Sequence, residues 1–224
     1  MQQTSARRDI VIALQVFALA CLLQLPLVLN PGYYSHDELQ WAVHAADGVQ
    51  VAWLDVSAFQ YRPLTFNLWM LLSRALFDTP RLFHAVLVAS GALNAALLFA
   101  VARGFGVQAR PVIVGALVFV LSPYAVYTHG WVGCIADLLW VGCALLLALC
   151  VQRTSRSVLA GLTAALLTGL ALLAKEAAFA IPPLLALAWW FDRRKPKWLF
   201  AMLASGAVAA LYLGLRIDVL LNAP

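Results

Sequence analysis

The hydrophobic pattern of this chain is continuous rather than alternating. Long Leu/Ala/Val runs follow one another with short polar breaks, and a barrel's ~10-residue alternating strands are absent, so the pattern predicts helices. Seven segments approach the ~20 apolar residues that a spanning helix requires. They are Ile10–Leu29, Leu82–Val101, Val112–Tyr127, Trp131–Val151, Val158–Ala174, Ala177–Phe191 and Trp198–Leu215. The sixth, at 15 residues, is the shortest. An eighth apolar stretch, "PLTFNLWMLLSRALF" (63–77), is also short and carries Arg74, and reads as a helix lying in the membrane interface.

The expected fold is therefore all-α: a polytopic membrane protein of about seven transmembrane helices forming one transmembrane domain, residues 1–224. Its parts are a first span at 10–29, a long extracytoplasmic loop at 30–81 that contains interfacial helices, and six further spans over 82–215. Tyr33, Tyr34, Trp41, Trp53, Tyr61 and Trp69 give the loop the aromatic character of an interfacial belt. The first apolar run exceeds a signal peptide's ~7–15-residue core and no A-x-A site follows, so it reads as a retained anchor.

Composition agrees. The chain is 64% hydrophobic and 11% charged, with a mean hydropathy of +0.88, more apolar surface than a soluble domain can hide. With the N-terminus in the cytoplasm, 10 of the 15 basic residues fall in inner segments, against two acids, Asp9 and Asp192. The other eight acids lie outside. This positive-inside bias orients the chain N-in and C-out, in a bacterial inner (plasma) membrane, and explains the net charge of +5 without nucleic acid. Cys21, Cys134, Cys143 and Cys150 form no CxxC and no cluster with histidine, so no metal or disulfide framework is expected.

The remaining polar residues collect on the outer face. "SHDELQWAVHAADG" (35–48) predicts a helix capped by Ser35 and ended at Gly48, with Asp37, Trp41 and His44 on one side and Glu38 about 100° away. Its two acids either complement the helix dipole or do chemistry. Arg62, in "QYRPLTF", is either a snorkelling arginine or a phosphate ligand. His129 lies in the second outer loop, Asp137 at the outer end of the fourth span, and Arg216 after the last span. "LLAKEAAFAIPP" places Lys175 and Glu176 between two apolar helices, where a simple turn would use Gly, Asn or Pro. His84 and Asn94 sit within the second span as interhelical hydrogen-bonding groups. Cations on this face suit a lipid phosphate, and a carboxylate suits removal of a proton from an attacking hydroxyl. A small transporter would instead carry charges near the bilayer midplane.

Several short motifs follow one another along the chain: the Asp37-Glu38 pair after the first span, "YRPL" (61–64), a His/Asn-bearing helix, "GCIADLL" (133–139), and "LLAKE" (172–176) followed by prolines. In this the chain resembles the GT-C membrane glycosyltransferases, and most closely the protein O-mannosyltransferase-like branch that carries tetratricopeptide repeats. The resemblance covers about residues 10–216. It implies inverting transfer of a sugar from a polyprenyl-phosphate carrier to an acceptor outside the cytoplasm. Asp37 would be the general base with Glu38 as its helper. Arg62 and Lys175 would contact the carrier phosphate, and Glu176 would orient Lys175 or the sugar. Asp137, His129 and Arg216 would complete the donor site. Some relatives use a divalent cation and others none, and His36-Asp37-Glu38 is not a diagnostic metal spacing. Family members usually continue beyond seven spans. The alternative expectation is thus a non-catalytic or split subunit that keeps the module to bind polyprenyl phosphate or a partner protein.

Overall fold

A computed structural model describes residues 2–33, 35–58 and 60–222; Tyr34, one of the aromatic belt residues, lies outside the described residues. Every regular element among the described residues is helical. Four helices are long and apolar enough to cross a membrane: Pro80–Gly104, Val132–Arg153, Ser157–Ala174 and Pro196–Val219. A fifth span results if Ala109–Leu121 and Pro123–Gly130, bent by 55°, are taken as one. The chain is an integral membrane protein. It divides into two compact units, residues 1–49 with 69–138, and residues 50–68 with 139–224.

The first unit contains α1 (Gln2–Leu23), α2 (Leu25–Leu29), α3 (His36–Ala46), the second half of α4 (Pro63–Leu76), α5 (Pro80–Gly104), α6 (Ala109–Leu121), α7 (Pro123–Gly130) and the start of α8 (Ile135–Arg153). Its core is built mostly from small residues at helical spacing, Val16 and Ala20 of α1, Ala92 and Ala95 of α5, and Val112, Ala116 and Val120 of α6, packed with the larger Phe99 of α5. Lipid tails are as apolar as these side chains, so close backbone approach and interhelical hydrogen bonds hold such helices together. Arg103 adds a two-pronged bond to Asp9, Nε to Oδ1 at 3.1 Å and Nη2 to Oδ2 at 3.2 Å.

Two expected spans are broken. The run Ile10–Leu29 parts at Gln24, where Pro26 opens the short α2. Val112–Tyr127 parts at Ser122–Pro123, because proline has no N–H to give to the preceding turn. Ser122 bridges that break, its hydroxyl donating to the Phe119 carbonyl (2.9 Å) and accepting the Ala125 N–H (3.2 Å).

The second unit holds the first half of α4, the rest of α8, α9 (Ser157–Ala174), α10 (Ile181–Phe191) and α11 (Pro196–Asn222). Ala160, Ala164 and Ala171 of α9 pack with Ala201 and Ala209 of α11 in one core. The buried Thr168 and Ser205 hydroxyls join the two helices at 2.7 Å. Of the expected span Ala177–Phe191, only the 11 residues of α10 are α-helical, and Glu176–Ala180 form a tighter 3-10 turn. At ~1.5 Å per residue, α10 rises about 16 Å, roughly half the ~30 Å of hydrocarbon. The last helix runs past the expected end at Leu215, through Arg216 to Asn222.

Candidate functional site

In the first unit the acids sit in the opening turn of α3. Ser35 occupies the N-cap position, and Glu38 Oε2 accepts its backbone N–H at 3.0 Å. Glu38 Oε1 accepts the Val132 N–H at 3.1 Å, from a segment 94 residues away. The carboxylate is 1% exposed. It therefore ties the start of α3 to the turn before α8 by two charge-assisted bonds. Asp37 is different: its side chain is 50% exposed, and Oδ1 lies 3.1 Å from His36 Nε2. Trp41 and His44 stack edge-to-face farther along α3, at 5.5 Å. Burial and the nearby charges of Glu38 and Asp78 push the Tyr33 phenol up.

His129 is buried in α7 rather than lying in a loop. Its Nδ1 meets Gln24 Oε1 at 2.6 Å, and Gln24 Nε2 donates to the Val120 carbonyl at 2.7 Å. An amide oxygen only accepts, so Nδ1 carries the proton. Gln24 was not singled out by sequence reasoning, although a glutamine beside a proline in an apolar run signals a break. The His129 ring fits only because residue 91 is glycine: a Cβ there would lie 2.1 Å from Nε2. His84 and Asn94 make the interhelical bonds, His84 Nε2 to the Gly130 carbonyl (3.0 Å) and Asn94 Nδ2 to the Leu138 carbonyl (3.0 Å). Asp137 is buried in the first turn of α8, with the Tyr124 hydroxyl beside it.

In the second unit, α9 ends at Lys175, whose extended backbone (φ −160°, ψ 141°) separates the helix from the 3-10 turn beginning at Glu176. Arg62 caps α4: its carbonyl accepts the Phe66 N–H at 3.0 Å, and Pro63 takes the first helical position, where no donor is needed. Arg62 Nε donates to Glu176 Oε2 at 2.7 Å across 114 residues of sequence. The pair is partly open, with side-chain exposures of 26% and 34%. Thr65, three residues on and one turn of helix away, donates its hydroxyl to the Ala174 carbonyl at 2.8 Å, satisfying one of the free carbonyls at the end of α9. Thr65 is a second residue that the sequence reading passed over. "YRPL" and "LLAKE" thus meet in one partly open cluster, with Lys175 half-buried at its break.

Arg216 does not follow the last span but lies inside α11, 2% exposed. Its Nη1 donates to the carbonyls of Val56 and Ala58, and its guanidinium sits 5.7 Å from the Tyr61 ring centre. These partners let a charged residue stay in an apolar helix, so the helix does not end there. Tyr61 in turn donates to the Trp53 carbonyl, and its own carbonyl accepts the Tyr212 hydroxyl at 3.1 Å. Among the described residues no three His, Cys, Asp or Glu side chains are gathered where they could hold a metal ion.

No protein-family model, curated protein or solved structure matches this chain.

Proposed function

We propose that the chain is a GT-C-type glycosyltransferase that moves a sugar from a polyprenyl-phosphate carrier to an acceptor hydroxyl on the extracytoplasmic side of a bacterial inner membrane. The observation that carries this reading is the Arg62–Glu176 pair with Lys175 beside it. Two motifs 114 residues apart converge on a partly open cluster of two cations and one acid, at a point where a helix is interrupted. A helix break held together by Lys-Glu and a distant arginine is more than a turn requires, and guanidinium and ammonium groups suit a phosphate diester.

In this reading the acceptor hydroxyl attacks the anomeric carbon. The new C–O bond forms as the carbon–phosphate-oxygen bond breaks, and polyprenyl phosphate leaves with the bonding electrons. The proton passes to the Asp37 carboxylate, and the anomeric configuration inverts. Glu38 holds the turn that carries Asp37, Arg62 and Lys175 offset the leaving phosphate's charge, and Glu176 keeps Arg62 in place. Seven segments cross, N-in and C-out, the sixth as the 3-10 turn plus α10.

The test is transfer from a synthetic polyprenyl-phosphate sugar by the purified full chain in lipid. Asp37→Asn removes the base while keeping the side chain's shape. Loss of transfer with unchanged melting is expected, and activity that survives the change overturns the assignment.

A further inference from the structure

A cavity of about 460 Å³ opens beside α3, lined by Ala42, Ala46, Ser73, Arg74, Phe77 and Asp78 among others, and its volume falls in the usual range for ligand sites. Its walls are fixed from within the chain. Gly48, in the left-handed region at φ +76°, turns the backbone out of α3. Arg74 Nε donates to the Ala45 carbonyl at 2.6 Å and holds the C-terminus of α3. Tyr33 stacks on Phe77 at 4.4 Å and donates its hydroxyl to the Phe77 carbonyl at 2.5 Å.

Three polar groups face a ligand here. Ser73 is 4% exposed, yet its hydroxyl has no hydrogen-bond partner among the described residues. A buried hydroxyl left so is costly, and a bound acceptor oxygen would relieve it. Arg74 uses Nε on Ala45, while its Nη2 lies 3.5 Å from the Val49 carbonyl, the long limit for a hydrogen bond, which leaves the Nη donors for an anion. Asp78 brings an exposed carboxylate four residues farther on. The site therefore takes a negative oxygen group and a positive donor at once. The cavity is also continuous with apolar surface. Leu39, Ala42, Val43 and Ala46 recur at helical spacing, and Leu39 and Val43 are 53% and 58% exposed. In a chain with spanning helices, such a stripe meets acyl chains.

We propose that this cavity binds the headgroup of a zwitterionic phospholipid with a primary ammonium, of the phosphatidylethanolamine class. Its phosphate lies on Arg74 and Ser73, its ammonium donates to Asp78, and its acyl chains run along Leu39 and Val43. A glycerol headgroup lacks the cation. A trimethylammonium carries the charge but has no N–H to give Asp78.

The experiment places the full chain in nanodiscs of equal phosphatidylethanolamine, phosphatidylcholine and phosphatidylglycerol, extracts it in mild detergent and weighs the retained lipid. Enrichment of phosphatidylethanolamine of about tenfold over the other two is expected, as one charge-assisted bond at the low end of its usual strength would give. Asp78→Asn should abolish the preference over phosphatidylcholine, and Ala46→Phe, which fills the cavity from an exposed position, should release the lipid. Both are surface changes, so melting should stay the same. Retained lipid that mirrors the bulk mixture, or enrichment that survives both substitutions, overturns the proposal. Displacement by soluble phosphoethanolamine at millimolar concentration would overturn the lipid in favour of a small phosphate ligand; resistance to it supports the acyl contribution.

Discussion

Each unit offers a contrast between a buried charge bonded to backbone and a more open charge bonded to a side chain. In the first, Glu38 (1% exposed) accepts two backbone N–H groups, while the adjacent Asp37 keeps half of its side chain open beside His36. In the second, Arg216 (2% exposed) donates to two backbone carbonyls, while Arg62 pairs with Glu176 at a partly open position. A buried charge answered by backbone groups is committed: its partners cannot move without unfolding a turn. A half-exposed charge held by one flexible partner can exchange that partner for a substrate. On the proposed reading, this contrast suits Glu38 and Arg216 to scaffolding and Asp37 and Arg62 to chemistry.

The sharpest way to break that division is to compare the two acids. Asp37→Asn should reduce transfer by about 10²–10⁴-fold, the usual worth of a general base, and leave melting unchanged. Glu38→Ala should leave the Ser35 and Val132 N–H groups unanswered and cost about 2 kcal/mol of stability. Equal melting losses for both acids would show that Asp37 is scaffolding too.

The two arginines give the next largest separation. Arg216→Met keeps the apolar stem but strands the Val56 and Ala58 carbonyls in a buried place, so a loss of about 2–3 kcal/mol is expected in denaturant titration. Arg62→Met should cost less than about 1 kcal/mol, because its ion pair is partly solvated, and should weaken donor binding instead. If Arg62→Met proved the more destabilising change, the pair would be a structural tie.

A smaller effect is expected where packing alone is changed. Gly91→Ala puts a Cβ into the His129 ring, which must swing away from Gln24. The cost should be about 1–3 kcal/mol. In a His129→Ala background, where the ring is already gone, Gly91→Ala should cost much less, and an undiminished cost would locate the strain elsewhere.

How much of this was legible in the sequence depends on whether the signal is local. Helix positions follow from apolar run length, so α5, α9 and α11 lie close to their expected places. The charged motifs "DE", "YRPL" and "LLAKE" stand out because charge is scarce. Partnerships were not legible. Nothing in Arg62 names Glu176, 114 residues on, and no periodicity reveals that Thr65 caps α9. Burial does not follow from polarity. His129, expected in a loop, and Arg216, expected after the last span, both lie in helices and are buried, each satisfied by an acceptor on a remote segment. The breaks at Gln24 and Ser122 carried a proline signal that a count of apolar residues averages away.

The smallest effect concerns a charge between the two extremes. Asp192 follows α10 with 22% of its side chain exposed, and its Oδ atoms meet Lys195 Nζ at 2.7 Å and Trp198 Nε1 at 2.8 Å. Burial alone would raise its pKa, but the hydrogen bonds from Lys195 and Trp198, with the nearby lysine charges, outweigh burial and hold the carboxyl below its ordinary value. A carboxyl depressed in the folded state contributes stability above its unfolded pKa, and that contribution is lost as pH falls through the folded value. Asp192→Asn should therefore lower the melting temperature slightly at pH 7. The difference from wild type should shrink on acidification below pH ~4, where the unfolded carboxyl protonates. Asp192 is intermediate in exposure and is bonded only to side chains. If commitment depends on backbone partners rather than on burial, Asp192→Asn should cost clearly less than Glu38→Ala, and an equal cost would mean that burial sets the scale.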